Sequence, residues 1–248
     1  VGTYCWVDGI LASTMAGKFH GLILIDKPHG WTSFDVVKYV RNIVASAEGK
    51  KARSIKVGHT GTLDPAATGL LLVCVGTYTK KVPTLIKQDK KYHVTVTLGY
   101  TSTTGDGEGE ITAVTNRKPS RSVVFAVITS FVGTQMQVPP AYSAVKVNGK
   151  RAYELARMGK HVELKAREVT IHSITNITYD YPYITFTAHV SSGTYIRTLA
   201  SNIGESLNTG AYMSGLKRIS IGGYHIKDAV DPKTIKTTTL EKHLWKTD

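Results

Sequence analysis

The sequence predicts an α+β fold, a mixed and mainly antiparallel sheet with flanking helices, and three observations carry that expectation. Short apolar runs of strand length are interspersed with segments whose apolar residues recur at helical spacing. Hairpin-type turn signals, above all Gly105-Asp106-Gly107-Glu108-Gly109, connect strands directly. No repeat of fixed period or low-complexity tract interrupts the pattern, and the mixture argues against a doubly wound sheet.

Residues 21–27 (GLILIDK) read as a buried strand, broken by Pro28-His29-Gly30. Ser33 is placed to cap a helix on which Val36, Val40, Ile43 and Val44 share a stripe up to about residue 47. Residues 48–56 form a basic loop, 70–75 a second strand, and 78–90 a basic helix or loop. Tyr92, Val94, Val96 and Leu98 alternate along a third strand, which returns over 111–114 after the glycine-rich turn. A helix over 121–131 is capped by Ser120, with Val124, Ile128 and Phe131 on one stripe.

Residues 139–167 are a long basic insertion, where Lys146, Lys150, Arg151, Arg157, Lys160, Lys165 and Arg167 face only Glu154 and Glu163. A connection of that length usually has a function of its own. Strands over 169–177 and 183–190, a helix over about 194–207 and a strand over 216–221 complete the pattern.

Charge narrows the partners. Lys and Arg number 31 against 18 Asp and Glu in 248 residues, a formal net charge of +13, which puts nucleic acid first among partners and acidic membrane surfaces second. The 42% hydrophobic content excludes a disordered polycation, and no apolar run approaches the roughly 20 residues that span a bilayer. A secretory signal is not expected, because the first residues lack a basic region. Cys5 and Cys74 lie far apart and make no C-x-x-C pair, so a disulfide scaffold and a cysteine zinc site are unsupported and a reducing, cytoplasmic compartment fits best.

Residues 58–65 (GHTGTLDP) are the densest unusual segment, with His59 and Asp64 five apart in a loop of glycines, hydroxyls and Pro65. Such a loop can hold one carboxylate rigidly at a cleft with a ring nearby, and loops on rigid scaffolds are where chemistry concentrates. On residues alone, Asp64 capping a turn before Pro65 is the competing account. The chain lacks the G-x-x-x-x-G-K-[ST] phosphate loop, H-E-x-x-H and G-x-S-x-G, so nucleotide, catalytic metal and serine-hydrolase chemistry are not indicated. Asp106 and Glu108 between glycines read as a tight turn rather than a calcium loop.

Lys27-Pro28-x-Gly30-x-Thr32-Ser33, followed by residues 58–71 (GHTGTLDPAATGLL), resembles the two leading motifs of the TruB family of tRNA pseudouridine synthases. The resemblance continues in family order through Lys91-Tyr92, Pro139-Pro140-x-Tyr142-Ser143-Ala144-x-Lys146, residues 193–197 (GTYIR), and Gly210-Ala211 followed by residues 216–218 (LKR). It covers residues 21 to about 224. The chain departs from the pattern at Ser102-Thr103-Thr104, where the family often has T-D-T, at Asn202, where Asp is common, and at Lys217, where Arg is usual.

The resemblance implies a pseudouridine synthase fold and the isomerisation of uridine to pseudouridine at position 55 in the T arm of tRNA, with no metal and no other cofactor. It implies that 21–248 are the catalytic domain, after an N-terminal extension over 1–20 and with 139–167 as an RNA-clamping insertion; bacterial relatives usually add a small PUA-type domain, and with about two dozen residues after Tyr224 none is expected here. Asp64 is the catalytic residue carried over; it could add to uracil, add to C1′, or assist elimination to a glycal. Arg197 would pair with Asp64 and lower its pKa. Tyr92 would stack on the flipped uracil, Tyr195 and Leu216 would line the base pocket, and His59 would fill the gap left in the RNA. Lys27 and Pro28 would brace the catalytic loop.

Phosphate contacts are expected from Lys80, Lys81 and Lys91, in a cationic stretch that also holds Lys87 and Lys90, and from Lys146, Lys150 and Arg151. A monomer acting without an obligatory protein partner or a membrane is expected. Two readings compete: a guide-RNA-dependent synthase of the snoRNP type, and a non-catalytic RNA-binding or RNA-folding protein on the same scaffold.

Overall fold

The computed structural model describes residues 17–246 other than 144, 148 and 160–162, and the backbone alone of 146 and 157. Most of the 1–20 extension, with Cys5, therefore lies outside the described residues, as do Ala144, Lys160 and the side chains of Lys146 and Arg157. In chain order the elements are β1 (Gly21–Lys27), α1 (Ser33–Glu48), β2 (Val57–His59), β3 (Thr68–Val75), α2 (Val82–Leu85), β4 (Lys90–Leu98), β5 (Tyr100–Ser102) and β6 (Ile111–Ala113). They continue with α3 (Arg121–Ser130), β7 (Gly133–Gln137), β8 (Lys146–Val147), β9 (Lys150–Arg151), α4 (Ala152–Arg157), β10 (Arg167–Asp180), β11 (Tyr183–Val190), α5 (Ile196–Ser206), β12 (Ala211–Ile221) and β13 (Tyr224–His225).

Nine strands make one sheet in the order β1-β3-β12-β4-β11-β10-β7, with β2 beside β3 and β13 beside β12. Its pairings are antiparallel except between β3 and β12, which run parallel at Thr68–Lys217 and Gly69–Arg218. The α+β expectation holds, and β12 is the strand that joins the two halves. The ribbons β5–β6 and β8–β9 stand apart from this sheet.

Alternation along β3 explains why it reads as an unbroken apolar run. Leu70, Leu72 and Cys74 pack with Leu22, Leu24 and Ile221 on one side, whereas Leu71, Val73 and Val75 pack with Val36, Val37, Val40 and Val44 of α1 on the other. A strand covered on both faces has no position left for a polar side chain. The second half builds its own core from Val94, Val96, Leu98, Ile184 and Phe186 beneath Leu199 and Ile203 of α5 and Val124 and Ile128 of α3. Burial pushes the Cys74 thiol up to about 11, so it packs as an apolar group.

Several local readings change. Thr32, not Ser33, caps α1: its hydroxyl accepts from Asp35 N, and the Asp35 carboxylate accepts from Thr32 N. This reciprocal box takes the cap position and leaves Ser33 buried on the first turn. Residues 57–59, read as part of a loop, form β2 by pairing with β3. The last long strand begins at Ala211, five residues earlier than expected, because a register shift between Met213 and Gly215 keeps it on β4. The 139–167 insertion contains β8, β9 and α4, and the unexpected edge strand β7 precedes it. Among the described residues no helix is long and apolar enough to cross a membrane.

Candidate active site

The loop between β2 and β3 carries Asp64 and is held from four directions. Ser33 Oγ accepts from Leu63 N at 2.8 Å and donates to Leu63 O at 3.1 Å, joining α1 to the loop. Gly30 N donates to Pro65 O at 2.9 Å, and Thr60 N to Leu72 O at 3.1 Å. Arg218, buried on β12, donates through Nε to Leu70 O at 2.7 Å and through Nη2 to Gly61 O at 3.1 Å. Lys27 Nζ donates to the carbonyls of Pro28 (3.0 Å), Trp31 (2.5 Å) and Pro65 (3.2 Å). Lys27 thus braces the loop from within the fold, and burial draws its pKa down to about 8.

Gly69 makes the β3–β12 junction possible. Its φ is +101°, and a Cβ there would lie 2.7 Å from Arg218 N and closer still to Arg218 O. No side chain fits between two backbones at that separation.

From this loop Asp64 Oδ2 faces Arg197 Nε at 3.3 Å. Arg197 sits in the first turn of α5, whose start is held by Gln137: Tyr195 N donates to Gln137 Oε1 at 2.8 Å, and Gln137 Nε2 donates to Tyr195 O at 3.1 Å. The rest of the guanidinium is occupied. Nη1 lies 3.3 Å from Asp106 Oδ2 and donates to Thr104 O at 3.1 Å, and Nη2 donates to Tyr142 O at 2.7 Å. Asp106 is itself buried and accepts from Thr104 Oγ1 at 2.5 Å and Glu108 N at 3.1 Å. Sequence reasoning reads Asp106 only as a turn residue; its flanking glycines signal the turn but not the buried ion pair.

Pairing with Arg197 is expected to lower the Asp64 pKa, yet the net direction is upward. Burial raises it most, Arg197 opposes, the Asp106 carboxylate adds to the rise, and Lys27 opposes. A guanidinium shared with a second anion cannot outweigh that desolvation. Asp64 keeps 35% side-chain exposure against 8% for Arg197, so the carboxylate is the reachable member of the pair. A half-buried but reachable carboxylate beside a fixed cation can attack or accept a proton.

His59 closes β2 half-buried rather than exposed in a loop, with Nδ1 accepting from Gly61 N at 3.3 Å. Burial lowers its pKa, and the charges of Arg218 and Arg151 act in the same direction. Tyr92 on β4 lies opposite Arg218, and Leu216 on β12 opposite Val94. Cross-strand partners share a face, so Tyr92 and Leu216 lie on the side of the sheet covered by α5, both part-buried against its core. Tyr195 is the N-cap residue of α5, two positions before Arg197.

The cationic stretch divides. Lys91, Lys150 and Arg151 are exposed, as is Lys80 in the short turn after β3, where Lys81 Nζ lies 4.7 Å from the centre of the Tyr78 ring. Lys90 departs from expectation. It is buried, its Nζ donates to Ile86 O and Gln88 O at 2.6 Å each, and burial draws its pKa down to about 8.

Residues 49–196 match the family model described as TruB family pseudouridylate synthase (N terminal domain). The chain is 42% identical over 224 residues to tRNA pseudouridine synthase B of Clostridium kluyveri, covering 90% of this chain and 75% of that protein. It is 46% identical to the protein of the same name from Cupriavidus metallidurans, covering 85% and 65%, and 43% identical to that of Parabacteroides distasonis, covering 86% and 91%. Among solved structures it resembles a chain of a Cbf5-Nop10-Gar1 complex at TM-score 0.62 and 27% identity, covering 85% of this chain and 52% of that one. The chain therefore spans about half the length of that solved chain and about two thirds to nine tenths of these relatives.

Proposed function

The chain belongs to the TruB family of pseudouridylate synthases, and from that membership and the site geometry we propose that it isomerises uridine to pseudouridine in the T arm of tRNA, at position 55. The observation that carries this reading is one reachable carboxylate, Asp64, on a four-way braced loop and backed by Arg197. In the reaction the C1′–N1 bond breaks, the uracil turns over, C5 bonds to C1′, and the C5 proton leaves while N1 gains one. Atoms and electrons balance within the nucleoside, so the chemistry calls for an anion and a proton path and for no redox or metal cofactor.

Asp64 supplies the anion, by attack on the base or on C1′ or by abstracting a proton for elimination. Tyr92 offers a ring for the extruded uracil, because a base taken from an RNA loop loses its stacking partners. Leu216 and Tyr195 complete the pocket wall. His59, whose pKa is lowered by burial and by the charges of Arg218 and Arg151, props the vacated stack. Lys80, Lys81, Lys91, Lys146, Lys150 and Arg151 contact phosphates, which position the RNA without reading its sequence.

The chain acts as a monomer without a protein partner. Its identity to the relatives named tRNA pseudouridine synthase B, 42–46%, exceeds the 27% to a chain of the Cbf5-Nop10-Gar1 complex. The test is the purified protein alone on an unmodified tRNA transcript, with pseudouridine located by chemical mapping. Conversion at the T-arm uridine is expected. An unconverted transcript would favour the guide-dependent or RNA-folding reading and overturn this one.

A further inference from the structure

Asp89, His172 and His189 are far apart in sequence and meet at one point. Asp89 immediately precedes β4, His172 lies in β10 and His189 in β11. Along the β10–β11 pair Ile171 faces Val190 and Ser173 faces His189, so His172 is the extra residue of a bulge. A bulge re-aims its extra side chain, and here the two imidazole centres come to 4.7 Å. Asp89 Oδ2 lies 3.1 Å from His172 Nε2 and 3.9 Å from His189 Nε2, and the three donor atoms all lie within 4.8 Å of one another.

We propose that Asp89, His172 and His189 form a binding site for a divalent transition-metal ion of the zinc type, held by two imidazole nitrogens and one carboxylate oxygen. Imidazole donors favour such ions over magnesium or calcium, which take oxygen ligands. Three protein ligands leave a fourth position for water. With metal–ligand bonds of about 2.0–2.2 Å, the donors need only small rotations to close on one ion. The rings have room to make them, since the side chains of His172 and His189 are 36% and 33% exposed.

The site is separate from Asp64 and does not depend on the proposed reaction. Its structural consequence is that the segment leading into Tyr92 becomes tied to β10 and β11. Asp89 stands three residues before Tyr92, and its backbone carbonyl already accepts from Gly222 N at 2.8 Å.

The experiment uses the full chain stripped with EDTA and dialysed, then titrated with Zn2+ by calorimetry and with Co2+ by visible absorption. One equivalent is expected to bind, with cobalt bands of a nitrogen–oxygen site and a rise in Tm that Mg2+ does not produce. His172→Gln with His189→Gln should abolish both signals, and Asp89→Asn should weaken binding by about 10–100-fold, the range found even for outer-sphere partners. Circular dichroism of each variant checks that it is folded. No binding by the unaltered chain, or the same equivalent retained by the folded double variant, overturns the proposal.

Discussion

Arg197 holds Asp64 and Asp106 on one guanidinium, through Nε to Asp64 Oδ2 at 3.3 Å and through Nη1 to Asp106 Oδ2 at 3.3 Å. The two carboxylates are not equivalent. Asp106 is buried and further bonded to Thr104 and Glu108, whereas Asp64 is one-third exposed. The pair with Asp106 therefore fixes where Arg197 sits, and the pair with Asp64 presents an anion to solvent.

Asp64→Asn removes the anion while nearly preserving shape. Single-turnover conversion of the tRNA transcript should fall by roughly 10³-fold or more, with tRNA affinity little changed. Substantial pseudouridine formation by this variant would mean that another group does the chemistry.

The upward shift of Asp64 sets the sign of the pH dependence. If the reactive form is the carboxylate, the rate climbs with pH through the Asp64 pKa, and the acid limb lies above the ordinary value of 3.8. Asp106→Asn removes a like charge and should move that limb to lower pH. Arg197→Met removes the opposing cation and should move it to higher pH. Both variants lower the rate on the plateau, since each disturbs the position of the other groups. Limbs that coincide in all three proteins would show that Asp64 ionisation does not govern the rate.

Lys91, Lys150 and Arg151 are exposed, and Lys90 is not. Replacing the first three with Ala should flatten the slope of log affinity against log salt by about two to three, at about 0.7–0.9 for each phosphate that no longer meets a cation. Lys90→Ala should leave that slope alone and lower Tm instead, because it strips the carbonyls of Ile86 and Gln88 of their donor. Tight binding with an unchanged slope in the triple variant would remove these residues from the RNA interface.

Gly69→Ala should destabilise by about 2 kcal/mol or more, since it combines a left-handed φ with a clash against the Arg218 backbone. Gly30→Ala is the comparison: φ is +81° and nothing lies within 4 Å of its Cβ position, so only the conformational cost of about 1–2 kcal/mol remains. Urea titrations giving equal destabilisation for the two variants would contradict the close β3–β12 approach.

The features legible in the sequence are those encoded within a few residues. The alternation of Tyr92, Val94, Val96 and Leu98 reads as a strand because side-chain direction there is a matter of counting. The valine stripe of α1 and the motif around Asp64 are equally local, and they bring fold class, family and site loop into view. Tertiary structure decided what depends on distance through space. Lys90 looks like its neighbour Lys91 in a run of lysines, yet only the turn at Ile86 and Gln88 draws it inside. One ion pair alone would lower the Asp64 pKa, which rises instead because burial and the Asp106 charge, 42 residues on, enter the same balance. Desolvation and shared partners are sums over everything packed around a group, and a linear sequence states only its neighbours along the chain.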